Sequence, residues 1–513
     1  MTKKTSKATR SLVSLAGVGG AVIAGVVVAA ACLVPVPKLT LAAASLSVTP
    51  TEATQTRICP GGLVDILSRD GDATTFQGFA APTIRSDVAN STIESVPLPA
   101  PDNAATDPSF GPSVLTAPPS ANASSPTLLV GAQTQSAAAD SLSGLAAAAC
   151  GEGSTDQWLV GGSTEVGRTS LLFLSNALDV DATASLEIFG EKGLVDAPGM
   201  TGIVVKARSQ RIISLAAFAP NLVEPVVHVT TTGGQVLATI QQSVTRVVTA
   251  SGIDFVQPGS APALQQIIPG VALNGMANQD GEGGTVTSDL APTIRVLVPG
   301  TTGAEVTATV IPASGDPIVI KSKVGPQHTI QLPFAGVADG IYTVVVSSSV
   351  PIVSGVRTVQ NAFDKPAPLT PVGPTPTPTP KPGSKVATPA VPAAPSAPPT
   401  LLGGDFTWTA AAFALSKETL LAVPAGPRPT LTLFNPSDTS VSLSIEGSAQ
   451  GPQKIDIAAG RTFVMAVDEN AQLRIHDAAG IHAAITYQAV GRGASFPVAP
   501  ASRLSSAITV YSH

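Results

Sequence analysis

The stretch Gly162-Ser-Thr-Glu-Val-Gly167-Arg168-Thr169 has the glycine spacing of a phosphate-binding loop, with arginine where such a loop carries lysine. In that chemistry the glycine amides and the N-terminus of a following helix share the phosphate charge, while the lysine reaches the terminal phosphates. A buried strand must come before the loop and a helix after it. Beyond Thr169 the chain continues as Ser170-Leu-Leu-Phe-Leu-Ser-Asn176, a short apolar run of strand length. No second strand ending in aspartate is evident. The loop therefore reads as a glycine-rich hairpin turn after Trp158-Leu-Val160, and neither a nucleotide nor any other cofactor is expected.

Other residues with chemical potential are scattered. His228, His328, His476, His482 and His513 lie far apart, with His476 and His482 facing each other at most across one hairpin. A metal site needs two or three further ligands nearby, so no metal is expected. Asn278-Gln-Asp280-Gly-Glu282-Gly lacks the spaced acids of a calcium loop and reads as a turn. No Gly-x-Ser-x-Gly elbow sits on a strand-to-helix turn, so no serine nucleophile is assigned. The expectation is a chain that is not an enzyme.

The composition points to strands. Charged residues make up only 12% of the chain against 44% hydrophobic, and Gly (47) and Pro (46) are abundant, which favours short strands and turns over long charged surface helices. A net charge of −6 offers no basic footprint, so no nucleic acid partner is expected. At the N-terminus, Lys3, Lys4, Lys7 and Arg10 precede an uncharged run from Leu12 to Val36, long enough to cross a bilayer. The positive flank keeps the N-terminus cytoplasmic and sends the bulk outside, giving a single-pass membrane protein. Two alternatives stay open: cleavage after Ala42-Ala43-Ala44, and acylation of Cys32 in Ala29-Ala30-Ala31-Cys32.

Beyond residue 150 a pattern recurs. The stretches 170–190, 293–315 and 430–451 each read as an alternating strand, a polar turn and a second strand; 204–218, 319–334 and 454–467 repeat the theme, and 225–243, 340–358 and 471–489 close each copy as a third hairpin. An aspartate with a nearby aromatic leads into each copy, at Asp156 and Trp158, Asp254 and Phe255, and Asp405 and Trp408. The first two leads are 98 residues apart, the size of an immunoglobulin-like sandwich. The third is delayed by a Pro-Thr-Ala stretch between Phe363 and Pro399, which reads as a polyproline II linker that sets the third sandwich apart.

The expected organisation is a basic tail over 1–10, a transmembrane signal-anchor over 11–36, and an Ala/Ser/Pro-rich region over 37–150. That region is partly packed on the first sandwich, with Thr56-Arg-Ile-Cys59 as a candidate strand and much of the rest in loops. Sandwiches are placed over 151–250, 251–361 and 403–513, with the Pro/Thr linker at 362–402. The fold class is all-β, three tandem immunoglobulin-like sandwich modules behind a transmembrane helix. In an exported chain Cys59 and Cys150 are expected to pair, two free thiols being the alternative.

Ile58-Cys59-Pro-Gly61, Cys150 followed by Trp158-Leu-Val-Gly161-Gly162, Gly167-Arg168 before Leu-x-Leu-x-Asn176, and Gly190-Glu-x-Gly193 resemble the DUF5719 family of exported actinobacterial proteins. The resemblance runs from about Ile58 to the C-terminus and rests on turns, so it carries no activity. It implies a membrane-anchored envelope component with a structural or binding role, associated with cell-wall polysaccharide assembly and with an envelope protein or polysaccharide as partner. An envelope hydrolase or transferase and a carbohydrate-binding adhesin are the rival readings.

Overall fold

The runs that alternate apolar and polar residues become strands, and the turns between them hold the glycines and asparagines with positive φ. A computed structural model describes residues 45–48, 53–67, 75–105, 107–120, 127–246, 248–274, 291–334, 337–363, 401–500 and 508–511. Among them the protein is all-β, with no α-helix and two short 3-10 turns, Pro108–Phe110 and Leu215–Ala217. The apolar run 12–36, Cys32 and the Asn278 turn lie outside the described residues, as does most of the Pro/Thr stretch. Two compact units emerge. In one, Ser45–Val48 pairs antiparallel with Ile508–Tyr511. The other spans Thr51–Ser505.

The larger unit repeats one pattern three times. In the third copy one sheet runs Thr462–Ala466, Thr430–Phe434, His482–Ala489, Arg492–Pro497, and the facing sheet runs Gln453–Ile457, Val441–Glu446, Gln472–His476, Glu418–Ala422. The first copy repeats the first of these sheets strand for strand, with Ser209–Ser214, Arg168–Asn176, Leu237–Arg246 and Thr249–Val256, and its facing sheet adds two short strands, Gly193–Leu194 and Pro258–Gly259. In the second copy the 24-residue strand Gly340–Phe363 serves both sheets, pairing with Ala304–Pro312 through its first half and with Thr293–Leu297 through its second. Leu172, Leu186, Val229 and Ile240 fill the core of the first copy, and Leu433, Leu443, Ile475 and Ile485 that of the third.

The expected strands are present, but they do not pair as hairpins. Arg168–Asn176 and Ala182–Gly190 belong to opposite sheets, and so do Val226–Thr232 and Leu237–Arg246. Alternation along a strand reports which face is buried and says nothing about its partner. A buried asparagine organises the crossing. Asn176 donates from Nδ2 to the carbonyls of Val180 (2.8 Å) and Val205 (3.2 Å), and Asn435 donates to those of Thr439 (2.7 Å) and Ile457 (3.0 Å).

The region 37–150 is also richer in strands than its composition suggests. Gln55–Cys59 is a strand, as expected, and pairs with Ser113–Ala117; Leu128–Ala138 lies between Thr83–Ala89 and Ser143–Ala149. Buried glutamines stand in for missing strand partners. Gln241 exchanges two hydrogen bonds with the backbone of Val64 (2.9 and 2.7 Å), and Gln133 does the same for Gly61 (3.2 and 2.6 Å).

The Pro/Thr stretch does not separate two bodies. Its flanking strands pair antiparallel from Phe363↔Leu401 to Gly355↔Ala410, so the stretch interrupts the second copy before that copy's last strand. The third copy packs directly on the second, with Thr462 Oγ1 bonded to Thr343 Oγ1 at 2.9 Å and Thr486 Oγ1 to the Gly270 carbonyl at 2.8 Å. Proline content marks where a chain cannot pair, and a long loop satisfies that as well as a domain boundary does.

Four strands meet at the centre, one from each copy and one from the N-terminal region: Ser143–Ala149, Thr249–Val256, Leu401–Ala410 and Arg492–Pro497. Each is the edge of its own sheet, so one row of its amides lacks a backbone partner. Asp405 supplies acceptors for all four. Oδ1 accepts from the amides of Ile253 (3.1 Å) and Phe406 (3.0 Å), and Oδ2 from those of Leu145 (2.8 Å) and Gly493 (3.2 Å). Asp254 accepts from Trp408 N at 2.8 Å, and Gln257 Oε1 from Ala149 N at 2.8 Å. These contacts advance together along the strands, so all four run in the same sense. Room for the carboxylate comes from glycine: a Cβ on Gly144 would lie 2.5 Å from Asp405 Oδ1, and one on Gly252 would lie 2.6 Å from the Phe406 ring.

Burial pushes the Asp405 carboxyl up to about 7 against the pull of its four amide donors, and pushes Asp254 well above the usual carboxylate range, with Asp405 adding to the rise. A carboxyl that titrates higher when folded holds its proton more tightly in the folded chain. Its stabilising effect is therefore full below pH about 4 and is lost as pH rises through about 7. For Asp405 the rise from 3.8 is worth about 4 kcal/mol. Urea unfolding should thus show higher stability at pH about 5 than at about 8, with Asp405→Asn less stable throughout and its pH slope reduced.

The disulfide joins Cys59 to Cys150 across 91 residues, with a Cα separation of 4.1 Å. It does not reach the Trp158 sheet. Instead it ties the strand Gln55–Cys59 to the end of Ser143–Ala149, where Ile58 and Gly151 also exchange backbone bonds (2.8 and 3.0 Å). A loop of this length gives about 4 to 5 kcal/mol in chain-entropy terms. Replacing both cysteines with alanine should lower stability by about that much, in a single urea transition for the whole unit rather than a separate step for one module.

Candidate functional site

All four central strands end on the same side, and the segments after them line a cleft of about 140 Å³. Cys150-Gly-Glu152 comes after the first strand, Gln257-Pro-Gly259 after the second, Phe413 after the third and Pro497 at the end of the fourth. Arg57, on the strand that carries Cys59, is 4% exposed and pairs with Glu152. A buried guanidinium held by a carboxylate fixes that wall, because breaking the pair would strand a charge away from water.

Asp156, Gln157 and Trp158 form a further part of the lining. Trp158 stacks on His228, with ring centroids 3.9 Å apart and planes within 8°, and the imidazole contacts Glu187 Oε2 at 2.7 Å and Asp156 Oδ1 at 3.2 Å. One face of the indole is therefore covered, and Trp158 lines the cleft beside it. Thr239 and Gln257 complete the lining with polar side chains that are 2% and 7% exposed.

The Gly162–Thr169 loop leads into the strand Arg168–Asn176 and has no helix directly after it. It is a crossover rather than a hairpin, leading from Asp156–Val160 in one sheet to Arg168–Asn176 in the other. Three of its amides already have acceptors: Ser163 N donates to Ser170 Oγ (3.0 Å), Thr164 N to the Leu222 carbonyl (2.9 Å) and Arg168 N to the Glu165 carbonyl (2.9 Å). The Gly162 carbonyl points at a cation. Arg295 of the second copy, 2% exposed, donates from Nη1 to Gly162 O (2.9 Å) and Pro225 O (2.8 Å), and its guanidinium lies 4.7 Å over the Trp408 ring. Burial lowers Arg295 to about 9, with Glu224 pulling the other way. The loop is thus a joint between copies.

The histidines stay apart. His476 and His482 lie in opposite sheets and do not face each other; His482 bonds the Ala412 carbonyl at 2.9 Å and His328 the Pro326 carbonyl at 2.7 Å. His513 lies outside the described residues. Among the described residues no three His, Cys, Asp or Glu side chains are arranged so that they could hold a metal ion. Of the three aspartates that lead the repeats, Asp254 and Asp405 occupy matching places on central strands, while Asp156 sits at the cleft. No spacing in the sequence links the cleft residues Arg57, Glu152, Gln257 and Phe413, and sequence reasoning misses them for that reason.

The model of a family of unknown function, DUF5719, matches residues 104–468, which takes in the two central aspartates, Cys150 and most of the cleft wall. No curated protein matches the chain. The match extends over most of the sequence, so the chain belongs to the DUF5719 family.

Proposed function

We propose that the chain is a non-catalytic, extracytoplasmic protein of an actinobacterial cell envelope, anchored by one span within residues 11–36 and acting as a rigid structural or binding component. The observation that carries this reading is the buried Cys59–Cys150 bond, since such bonds form and persist in oxidising compartments. The basic flank ahead of the Leu12–Val36 run supports the same orientation. Among the described residues no helix is long and apolar enough to cross a membrane, and the Leu12–Val36 run lies outside them.

The non-catalytic part draws on how the buried polar groups are used. Asp405, Asp254, Gln133, Gln241 and Arg295 each bond backbone groups of neighbouring segments. Each repeat is proposed as an immunoglobulin-like module in the broad sense of two antiparallel sheets around one core, with a strand order of its own. The partner is an envelope protein or polysaccharide, in keeping with a part in cell-wall polysaccharide assembly.

A reporter that is active only outside the cytoplasm, fused after His513, should be active, with the protein in the membrane fraction. Activity from a cytoplasm-only reporter at the same position would overturn the orientation. Release of a chain starting near Ser45 would replace the anchor by a cleaved signal, and lipid labelling lost in Cys32→Ala would replace it by an acyl chain.

A further inference from the structure

We propose that the cleft at the end of the four central strands binds a single neutral saccharide ring. Three side chains lining it have a hydrogen-bond donor with no partner among the described residues: the Thr239 hydroxyl, the Trp158 indole N–H and the Gln257 Nε2 amide. Thr239 and Gln257 are more than nine-tenths buried, and Gln257 is held in place by Ala149 N on its Oε1, so its amide nitrogen is fixed toward the cleft. None of the three donor atoms is sealed from solvent, so each is open to a ligand or to water in the cleft.

The same lining offers acceptors. Asp156 is exposed at its rim and Glu152 lies within it. Leu237, Phe413 and Pro497 add an apolar wall. A ligand that matches must carry donors and acceptors around a compact body with an apolar face. A sugar ring does so, its hydroxyls serving both roles and its C–H groups packing on the wall. A proline-rich peptide presents mainly carbonyl acceptors, because proline has no backbone N–H, and so lacks the paired donors and acceptors of a sugar hydroxyl. Arg57 and Glu152 neutralise each other, which leaves Asp156 to disfavour an anionic ligand.

This inference deepens the envelope-binding reading by naming a ligand class, yet its test uses purified protein and does not depend on topology. Purified full-length chain would be titrated with glucose, galactose and N-acetylglucosamine, with glucuronate as the charged comparison and a Pro-Thr repeat peptide as the rival ligand, by saturation-transfer NMR. At least one neutral sugar should bind saturably at about millimolar affinity, and glucuronate more weakly. Thr239→Val keeps shape and removes one donor, Trp158→Phe removes the indole donor together with part of the ring, and each should weaken binding about tenfold. Thr239→Val should not lower the melting temperature, because it removes a hydroxyl without a partner. No saturable sugar binding, unchanged affinity in both variants, or preference for the peptide would overturn the proposal, whatever the topology experiment returns.

Discussion

Four sheet edges converge on one carboxylate, and the rest of the large unit depends on how Asp405 satisfies them. An edge strand brought into a protein interior takes a row of unpaired amides with it, and each amide left without an acceptor costs about 1 to 3 kcal/mol. The usual remedy is to pair the edges into a continuous sheet. Here the four strands run in the same sense and belong to sheets arriving from different directions. Asp405 replaces the missing ladder with four bonds from Leu145, Ile253, Phe406 and Gly493. The cost falls on the ionised carboxyl, which burial disfavours even with four donors. The geometry also dictates composition, since Gly144 and Gly252 stand where any side chain would collide with Asp405 or Phe406.

This centre explains which parts of the fold were legible in the sequence. Strands such as Ala304–Pro312 and Val441–Glu446 face a core on one side only and keep a visible alternation of buried and open positions. The central strand Ser143–Ala149 is Ser-Gly-Leu-Ala-Ala-Ala-Ala, small because four backbones crowd together, and small residues carry no periodic signal. The region 37–150 therefore reads as loop although its last strand lies at the heart of the unit. The Pro/Thr stretch misleads in the other direction, because its composition reveals its own conformation and nothing about the strands on either side. Pairing between Phe363 and Leu401 is a tertiary fact. The disulfide was legible because Cys59 and Cys150 are the two cysteines beyond the apolar run, which reduces the pairing to one choice.

The cleft was not legible, for a related reason. Arg57, Glu152, Gln257, Phe413 and Pro497 come from five distant stretches and meet because four strands end together. The Gly162–Thr169 loop shows the converse. Its local spacing suggests chemistry, but Arg295, 133 residues beyond Gly162, sits under its carbonyl side and makes it a joint. A motif is defined by spacing, and its function by which of its backbone groups remain free.

The centre and the cleft are linked mechanically. The amide of Ala149, the last residue of its strand, is held by Gln257, and Cys150 next to it is held by the disulfide. Glu152 is two residues further and pairs with Arg57, on the strand that carries the other cysteine. The wall of the cleft is therefore fixed by the same contacts that close the central strands, and little of it is free to move independently. Parallel strands that end at one level gather their succeeding loops on one face, and a side chain there can change without disturbing the packing behind it. The fold thus separates two demands: repeats and buried carboxylates secure the body, while the loops at the strand ends remain open to specialisation. In such an arrangement, differences in ligand among proteins of this build should lie in the loops after the central strands, whereas Asp405 and the glycines beside it answer to the packing of the body alone.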